Sequence, residues 1–309
     1  MTNPSVSIVI PMYNEERYIA RCLESLTHQT FQDFEIILID DGSTDSTVKI
    51  TETFKDLLPL TILHQEHGWP WKARNRGAKE AKGEILTFVD ADMFFDLNYL
   101  KHLIQPIQEK KEIWTSHGTE LVGNLKKPIA RAYSITRVKY DPTHPRSNVY
   151  RMVMKSAFLE AGGFDRTKGY FDDDLSKLNE GKGALSIKQA ICYHNNPETL
   201  SEAYKHSIWV GKWLMESGQI KYYSKKYAIR LSAFFLLGTL ACIRCILTDV
   251  WWLIPVLVVG TIILLVLLKT LQRTVKEKYM SHLIYVPIIM GTRGLWYIHG
   301  IYKFLTNKK

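Results

Sequence analysis

The chain is predicted to fold as an α/β protein: a doubly wound, mostly parallel sheet followed by a C-terminal helical membrane region. Three observations predict this. Short apolar runs alternate with segments of helical periodicity through the first ninety or so residues. Polar, acid-rich clusters follow the runs ending at Ile10, Ile39 and Val89, which is where the carboxyl ends of parallel strands would gather a ligand. Late in the chain, Ala228–Leu247 and Val250–Leu268 each approach the about 20 apolar residues that cross a bilayer.

Ser5–Ile10 reads as a buried strand that Pro11 stops. From Glu16 to Thr27 the apolar residues Ile19, Cys22, Leu23 and Leu26 fall on one helical face. Phe34–Ile39 is a second strand, ending in Asp40-Asp41-Gly42-Ser43. The run Ser43-Thr44-Asp45-Ser46 is rich in helix-capping residues and precedes Val48-Lys49-Ile50. Leu60–His64 is a third strand, Ala73–Ala81 a helix, and Glu84–Val89 a fourth strand leading into Asp90-Ala91-Asp92. Beyond Asp96 the pattern loosens. Residues 141–148 form a polar loop, Val149–Lys155 a strand, and Gly162-Gly163-Phe164-Asp165 a turn. Asp172–Leu178 begins a helix and Ile187–His194 is a last strand.

Of the 309 residues, 46% are apolar and 23% charged, which excludes both a disordered chain and an all-membrane protein. The formal charge of +9 is unevenly spread. Residues 1–200 hold 25 basic and 27 acidic residues, whereas 201–309 hold 15 and 4. A basic tail wrapped around apolar runs points to a membrane surface. A nucleic-acid partner would need a basic globular part, and this one is slightly acidic. The four cysteines offer no disulfide framework. Cys242 and Cys245 sit in an apolar run without a second ligand pair, so they read as buried small side chains rather than a zinc site.

No leader-like segment opens the chain, so the first domain is expected in the cytosol. Lys221, Lys225, Lys226 and Arg230 precede the first apolar stretch, and Lys269, Arg273, Lys276 and Lys278 follow the second. Between the two stretches lie only Thr248 and Asp249. This asymmetry predicts a hairpin with both basic flanks cytosolic. Arg244 is the odd charge near the far end. Met280–Leu305 is expected to lie in the interface or re-enter, because a third full span would carry Lys308 and Lys309 outside. The predicted domains are 1–200 (catalytic), 201–227 (interfacial amphipathic linker), 228–268 (transmembrane hairpin) and 280–305.

The motifs carry the chemistry. SIVIPMYNEERYIARCLESL, EIILIDDGSTDST, ARNRGAKEAKGEILTFVDADMFFD, GGFD and FDDDLS occur in that order across residues 7–176. Together they resemble a family 2 glycosyltransferase, which implies the Rossmann-like GT-A fold over roughly residues 5–200. Such an enzyme inverts the anomeric carbon and uses a divalent cation, Mg²⁺ or Mn²⁺. The resemblance implies that Asp41 contacts the nucleotide base and that Pro11, Tyr13 and Glu15 line its pocket. It makes Asp90-Ala91-Asp92 the family's D-x-D, with Asp92 the more direct metal ligand. Residue chemistry agrees: alternate residues of a strand share a face, and a cation held by carboxylates offsets the charge of a leaving diphosphate. Lys72 and Arg74 are candidates to help neutralise that diphosphate, or else solvated charges on a helix face.

Asp172-Asp173-Asp174 stands where the family carries its acidic motif, usually Glu-Asp. An inverting transfer needs a base for the acceptor hydroxyl, and the missing glutamate leaves Asp172 or Asp173 for that role. The other interpretation is a cap favourable to the helix dipole. His194 resembles a metal-binding histidine of some relatives; a structural histidine is the alternative. Tyr204–Trp213 interleaves aromatic and basic residues, as a helix at lipid headgroups does. Where processive relatives carry Q-x-x-R-W, this chain has Lys205-His206-Ser207-Ile208-Trp209, and two spans build no polymer channel. The expected partners are therefore a nucleotide-diphosphate sugar donor, a lipid-linked (polyprenyl-phosphate-borne) acceptor and membrane lipids, with the catalytic domain on the cytosolic face of the cell membrane. Polyprenyl-phosphate hexose synthesis and a non-catalytic membrane scaffold are the alternatives.

Overall fold

The computed structural model describes residues 3–133, 136–138, 146–147, 150–164 and 183–216. Asp172, Asp173, the hairpin 228–268, the segment 280–305 and most of the 141–148 loop lie outside the described residues. No helix among the described residues is long and apolar enough to cross a membrane. The chain divides into two compact units, 1–124 with 136–196, and 125–135 with 197–309.

The first unit is built on a ten-stranded sheet. Its strands are β1 (Val6–Met12), β2 (Phe34–Asp40), β3 (Leu60–His64), β4 (Ile85–Phe88), β5 (Met93–Phe95), β6 (Trp114–Val122), β7 (Thr136–Val138), β8 (Arg146–Ser147), β9 (Met152–Met154) and β10 (Ala184–His194). The order is β3-β2-β1-β4-β9-β6-β10-β5, with β7 beside β6 and β8 beside β10. The β3-β2-β1-β4 half is wholly parallel, as the alternating pattern predicts. The other half corrects the expectation of a mostly parallel sheet. β6 and β10 run parallel, but β5, β7, β8 and β9 all pair antiparallel. β5, β7 and β8 have at most three residues each, too short for period-two patterning to betray them; β9 falls within the predicted strand Val149–Lys155 and is shorter, Met152–Met154.

The double winding follows from side-chain alternation. Val6, Ile8, Ile10 and Met12 of β1 face one layer with Ile36 and Leu38 of β2. Val9, Ile37 and Ile39 face the other. Helices α1 (Ile19–Thr27) and α4 (Tyr99–Gln108) cover the first face; α3 (Pro70–Glu80) and α6 (Lys155–Glu160) cover the second. α1 buries the four residues its periodicity singles out, Ile19, Cys22, Leu23 and Leu26. Ile19, Leu23 and Leu26 contribute about 1.5–3 kcal/mol each. α3 lies unusually close to the sheet. A Cβ on Gly77 would meet Val9 and come within 2.8 Å of Ile39 Cδ1, so only glycine permits this approach.

Pro11 does not stop β1; the strand continues to Met12. Val9 accepts a bond from Val89 N on the β4 side. Pro11 has the same parity, so its missing N–H points beyond the end of β4, where the ladder has no carbonyl to offer.

The second unit contains α5 (Pro128–Tyr133) and α7 (Leu200–Glu216). Ala132, Tyr133 and Ala203 form its small described core, and the Tyr133 hydroxyl lies 2.7 Å from His206 Nδ1.

Candidate active site

The site assembles at the carboxyl ends of β1, β2 and β4. After β2 the chain turns through Gly42, whose φ of +84° strains any other residue. The turn is anchored by Asp40, whose Oδ1 accepts the Ser43 N–H at 3.0 Å. Asp41, buried beside it, draws the segment after β3 inward. Its Oδ1 accepts Gln65 Nε2 at 2.6 Å, and its Oδ2 accepts the Gly68 N–H at 2.9 Å. His67 Nδ1 lies 3.1 Å from the same Oδ2. The His67 ring stacks on Tyr13 with centroids 4.0 Å apart. Tyr13, 41% exposed, and His67 thus form an aromatic platform next to a carboxylate. Asp41 is not a helix cap; Asp45 instead serves the start of α2 (Thr47–Glu52), where it accepts the Thr47 N–H at 2.9 Å. Pro11 and Tyr13 reach this corner from the end of β1.

Asn14 takes a positive φ of 56°, tolerable for asparagine, and its side chain accepts the Thr44 N–H at 2.8 Å. Glu15 N–H donates to Thr47 Oγ1 at 2.7 Å. These bonds tie the segment after β1 to the one after β2 and hold the Glu15 backbone. Burial, with Asp92 and Asp90 adding their negative charge, pushes the Glu15 carboxyl up to about 9.

The D-x-D residues do not lie on a strand, as alternation supposed. β4 ends at Phe88, and Asp90–Met93 forms a turn closed by Met93 N–H to Asp90 O at 3.1 Å. The turn brings both carboxylates together but gives them different surroundings. Asp90 is ion-paired with Arg74, and Arg151 Nη1 lies 3.5 Å from its other oxygen. Burial alone would raise the Asp90 carboxyl; the two guanidiniums outweigh it and hold it down at about 2. Asp92 instead faces His194, with Oδ2 2.9 Å from Nε2. Antiparallel pairing of His194 with Met93 sets this contact. The donor atoms of Asp90, Asp92 and His194 all lie within 4.8 Å of one another. Two hard carboxylates and an imidazole suit Mn²⁺, and Mg²⁺ with water completing its shell.

Beneath this cluster runs a buried polar layer that the motifs do not announce. His194 Nδ1 lies 3.0 Å from Glu120 Oε1, and His117 Nε2 lies 3.1 Å from Glu120 Oε2. Arg151 Nη2 stands 4.0 Å from the same Oε2. Burial works against the Arg151 charge, yet Asp90 and Glu120 raise its pKa further and keep it cationic.

The predicted residues therefore fall into two groups. Asp41, Tyr13 and Pro11 sit with the aromatic platform; Asp90, Ala91, Asp92, His194 and Glu15 gather at the turn. Arg74 is buried and committed to Asp90 rather than projecting as a solvated charge. Lys72 is exposed in the first turn of α3, its Nζ 5.7 Å from the Trp71 ring. Sequence reasoning missed His67, Glu120, His117 and Arg151. His67 alone left a usable signal, as a histidine just past a predicted strand end.

Residues 7–162, half of the chain, match the family described as glycosyl transferase family 2. The chain belongs to that family. Glycosyltransferase GlyG of Streptococcus pneumoniae serotype 4 is 42% identical over 107 residues, which cover 34% of this chain and 36% of GlyG. The uncharacterized glycosyltransferase EpsJ of Bacillus subtilis is 38% identical over 218 residues, covering 64% of this chain and 63% of EpsJ. The chain thus spans between about a third and two thirds of the length of these two relatives. A mannosyltransferase from Pyrobaculum calidifontis, solved with GDP-Man and Mn²⁺, superposes with a TM-score of 0.57 at 17% identity, covering 100% of this chain and 89% of its own. That likeness concerns the fold. For a family 2 glycosyl transferase, the aromatic platform and the D-x-D turn stand at the carboxyl ends of the parallel strands, where such sheets bind ligands.

Proposed function

We propose that the chain is an inverting, metal-dependent hexosyltransferase. It moves a sugar from a nucleotide-diphosphate donor to a lipid-linked, polyprenyl-phosphate-borne acceptor at the cytosolic membrane face. The observation that carries the enzymatic part is the convergence of Asp92, Asp90 and His194 within one cation's reach, beside an aromatic and carboxylate corner suited to a nucleoside.

In this scheme the donor base stacks at Tyr13 and His67 with Asp41 at its edge. The diphosphate extends toward the D-x-D turn. A divalent cation held by Asp92 and His194, with Asp90 behind them, would supply electrostatic stabilisation of the leaving diphosphate. The acceptor oxygen attacks the anomeric carbon from the face opposite the diphosphate. The bond from carbon to phosphate oxygen breaks with its electron pair going to the diphosphate, and the acceptor proton passes to a carboxylate. Asp172 or Asp173 is the base the family resemblance assigns. Arg74 and Arg151 hold Asp90 ionised and the turn in place.

The names of the relatives support sugar transfer. The lipid-borne acceptor rests on the apolar stretches 228–268 and their basic flanks. A panel of nucleotide sugars, offered with membrane lipid extract as acceptor, tests the whole scheme. One donor should label an extractable lipid; labelling of water-soluble acceptors alone would refute the lipid assignment. The hairpin has its own test in intact cells on a cysteine-free background. Asp249→Cys should react with a membrane-impermeant thiol reagent and Lys276→Cys should not; labelling at residue 276 would overturn the topology.

A further inference from the structure

We infer that Glu120 is a positioning residue for cation binding by His194, an inference that rests on the proposed cation site. Glu120 sits near the carboxyl end of β6, 4% exposed. A carboxylate in such a place is costly unless its oxygens are satisfied. If it served chiefly as the counter-ion of Arg151, that contact should be its shortest. It is longer than both histidine contacts: 4.0 Å, against 3.0 Å to His194 and 3.1 Å to His117. Arg151 lies nearer to Asp90, at 3.5 Å. Of these three contacts, the two short ones are to imidazoles.

The geometry decides what Glu120 does for His194. An imidazole ligates through one nitrogen while the other keeps its proton, and a carboxylate on that second nitrogen fixes both the tautomer and the ring plane. Here Glu120 Oε1 faces Nδ1, and Nε2 is the nitrogen aimed at Asp92, 2.9 Å from its Oδ2. With Nδ1–H donated to Glu120, the Nε2 lone pair points at the place where the Asp90 and Asp92 oxygens converge. The sheet itself sets the arrangement. Glu120 pairs with Cys192 across the parallel β6–β10 ladder, so Glu120 and His194, two residues on, share a face as diagonal neighbours. On the opposite side the fully buried His117 places its Nε2 3.1 Å from Glu120 Oε2, and its Nδ1 is 3.5 Å from the Tyr99 hydroxyl. The carboxylate therefore lies between a buried histidine and the ligand histidine, hydrogen-bonded to the latter.

The experiment measures Mn²⁺ affinity by electron paramagnetic resonance of free Mn²⁺. It compares the wild-type chain, Glu120→Gln, His194→Gln, the double variant and Asp92→Ala. Glu120→Gln should weaken Mn²⁺ binding about 10–100-fold, and the same change should have no further effect in the His194→Gln background. A general structural role for Glu120 would lower affinity equally in both backgrounds and so contradict the inference. Unchanged affinity in Glu120→Gln, with loss in Asp92→Ala, would overturn the role of Glu120 alone. Absence of Mn²⁺ binding in the wild type would overturn the cation site and this role with it. If Glu120→Gln does not fold, the wild-type chain decides the matter. Nitrogen–proton correlation spectra of the Mg²⁺-loaded protein should show His194 protonated at Nδ1; a proton on Nε2 would refute the inference.

Discussion

Asp92 and His194, 102 residues apart in the chain, meet with Oδ2 and Nε2 2.9 Å apart. The contact joins the turn after β4 to the last residue of β10. Pairing of β5 with β10 makes it, not any local motif. The two aspartates of the D-x-D turn have consequently separated in role: Asp92 faces the histidine, and Asp90 faces two arginines.

That division is testable by stability and turnover together. Asp90→Asn removes the shared partner of Arg74 and Arg151 and leaves two buried guanidiniums undercompensated. A loss of about 3–5 kcal/mol of folding stability is expected. Asp92, with 27% of its side chain exposed and no arginine against it among the ion pairs of the described residues, should tolerate Asn within about 1 kcal/mol. Its turnover should still fall by at least two orders of magnitude, about 3 kcal/mol of transition-state stabilisation. Unfolding midpoints and initial rates on both variants check this. Equal destabilisation of the two would contradict it.

His117 predicts a dependence of stability on pH. Burial pushes its imidazole below the ordinary 6.5. The unfolded chain therefore binds a proton that the folded chain resists. The stability it contributes is fully present above pH 6.5 and is lost as pH falls from there through the folded value. For one proton the slope is at most about 1.4 kcal/mol per pH unit. Thermal midpoints measured from neutral to mildly acidic pH should fall more steeply for the wild type than for His117→Gln. Parallel curves would show that His117 is not a source of the acid sensitivity.

In the proposed scheme the general base is one of two neighbours, Asp172 or Asp173. Asn keeps the volume of Asp but takes no proton, so Asp172→Asn or Asp173→Asn should abolish transfer while donor nucleotide still binds. Calorimetric titration with the nucleoside diphosphate, beside rate measurements, separates binding from chemistry. Near wild-type rates in both variants would remove the base from this motif.

Much of this architecture was legible in the sequence, for physical reasons. The face of α1 was readable because Ile19, Cys22, Leu23 and Leu26 recur at helical spacing and all four are buried. β3 has the predicted bounds, Leu60–His64. Asp41, Asp90 and Asp92 stood out because carboxylates at strand ends are conspicuous after apolar runs. What stayed hidden depends on contacts distant in sequence. Arg151 is an ordinary cation until β9, paired antiparallel with β4, brings it to Asp90. Glu120 and His117 belong to a strand whose partner, β10, begins 62 residues after β6 ends. Pro11 misled because its cost depends on which edge of β1 its nitrogen faces, and sequence does not record that.

The most direct test is sugar transfer by the wild-type chain in the presence of excess chelator, followed by restoration with Mn²⁺ or Mg²⁺, with Asp92→Ala run alongside. Transfer should vanish in chelator, return with either cation in the wild type, and stay at least a hundredfold lower in the variant, the factor that about 3 kcal/mol represents. Full activity in excess chelator, or a variant that recovers with cation as the wild type does, would contradict a catalytic cation at Asp92.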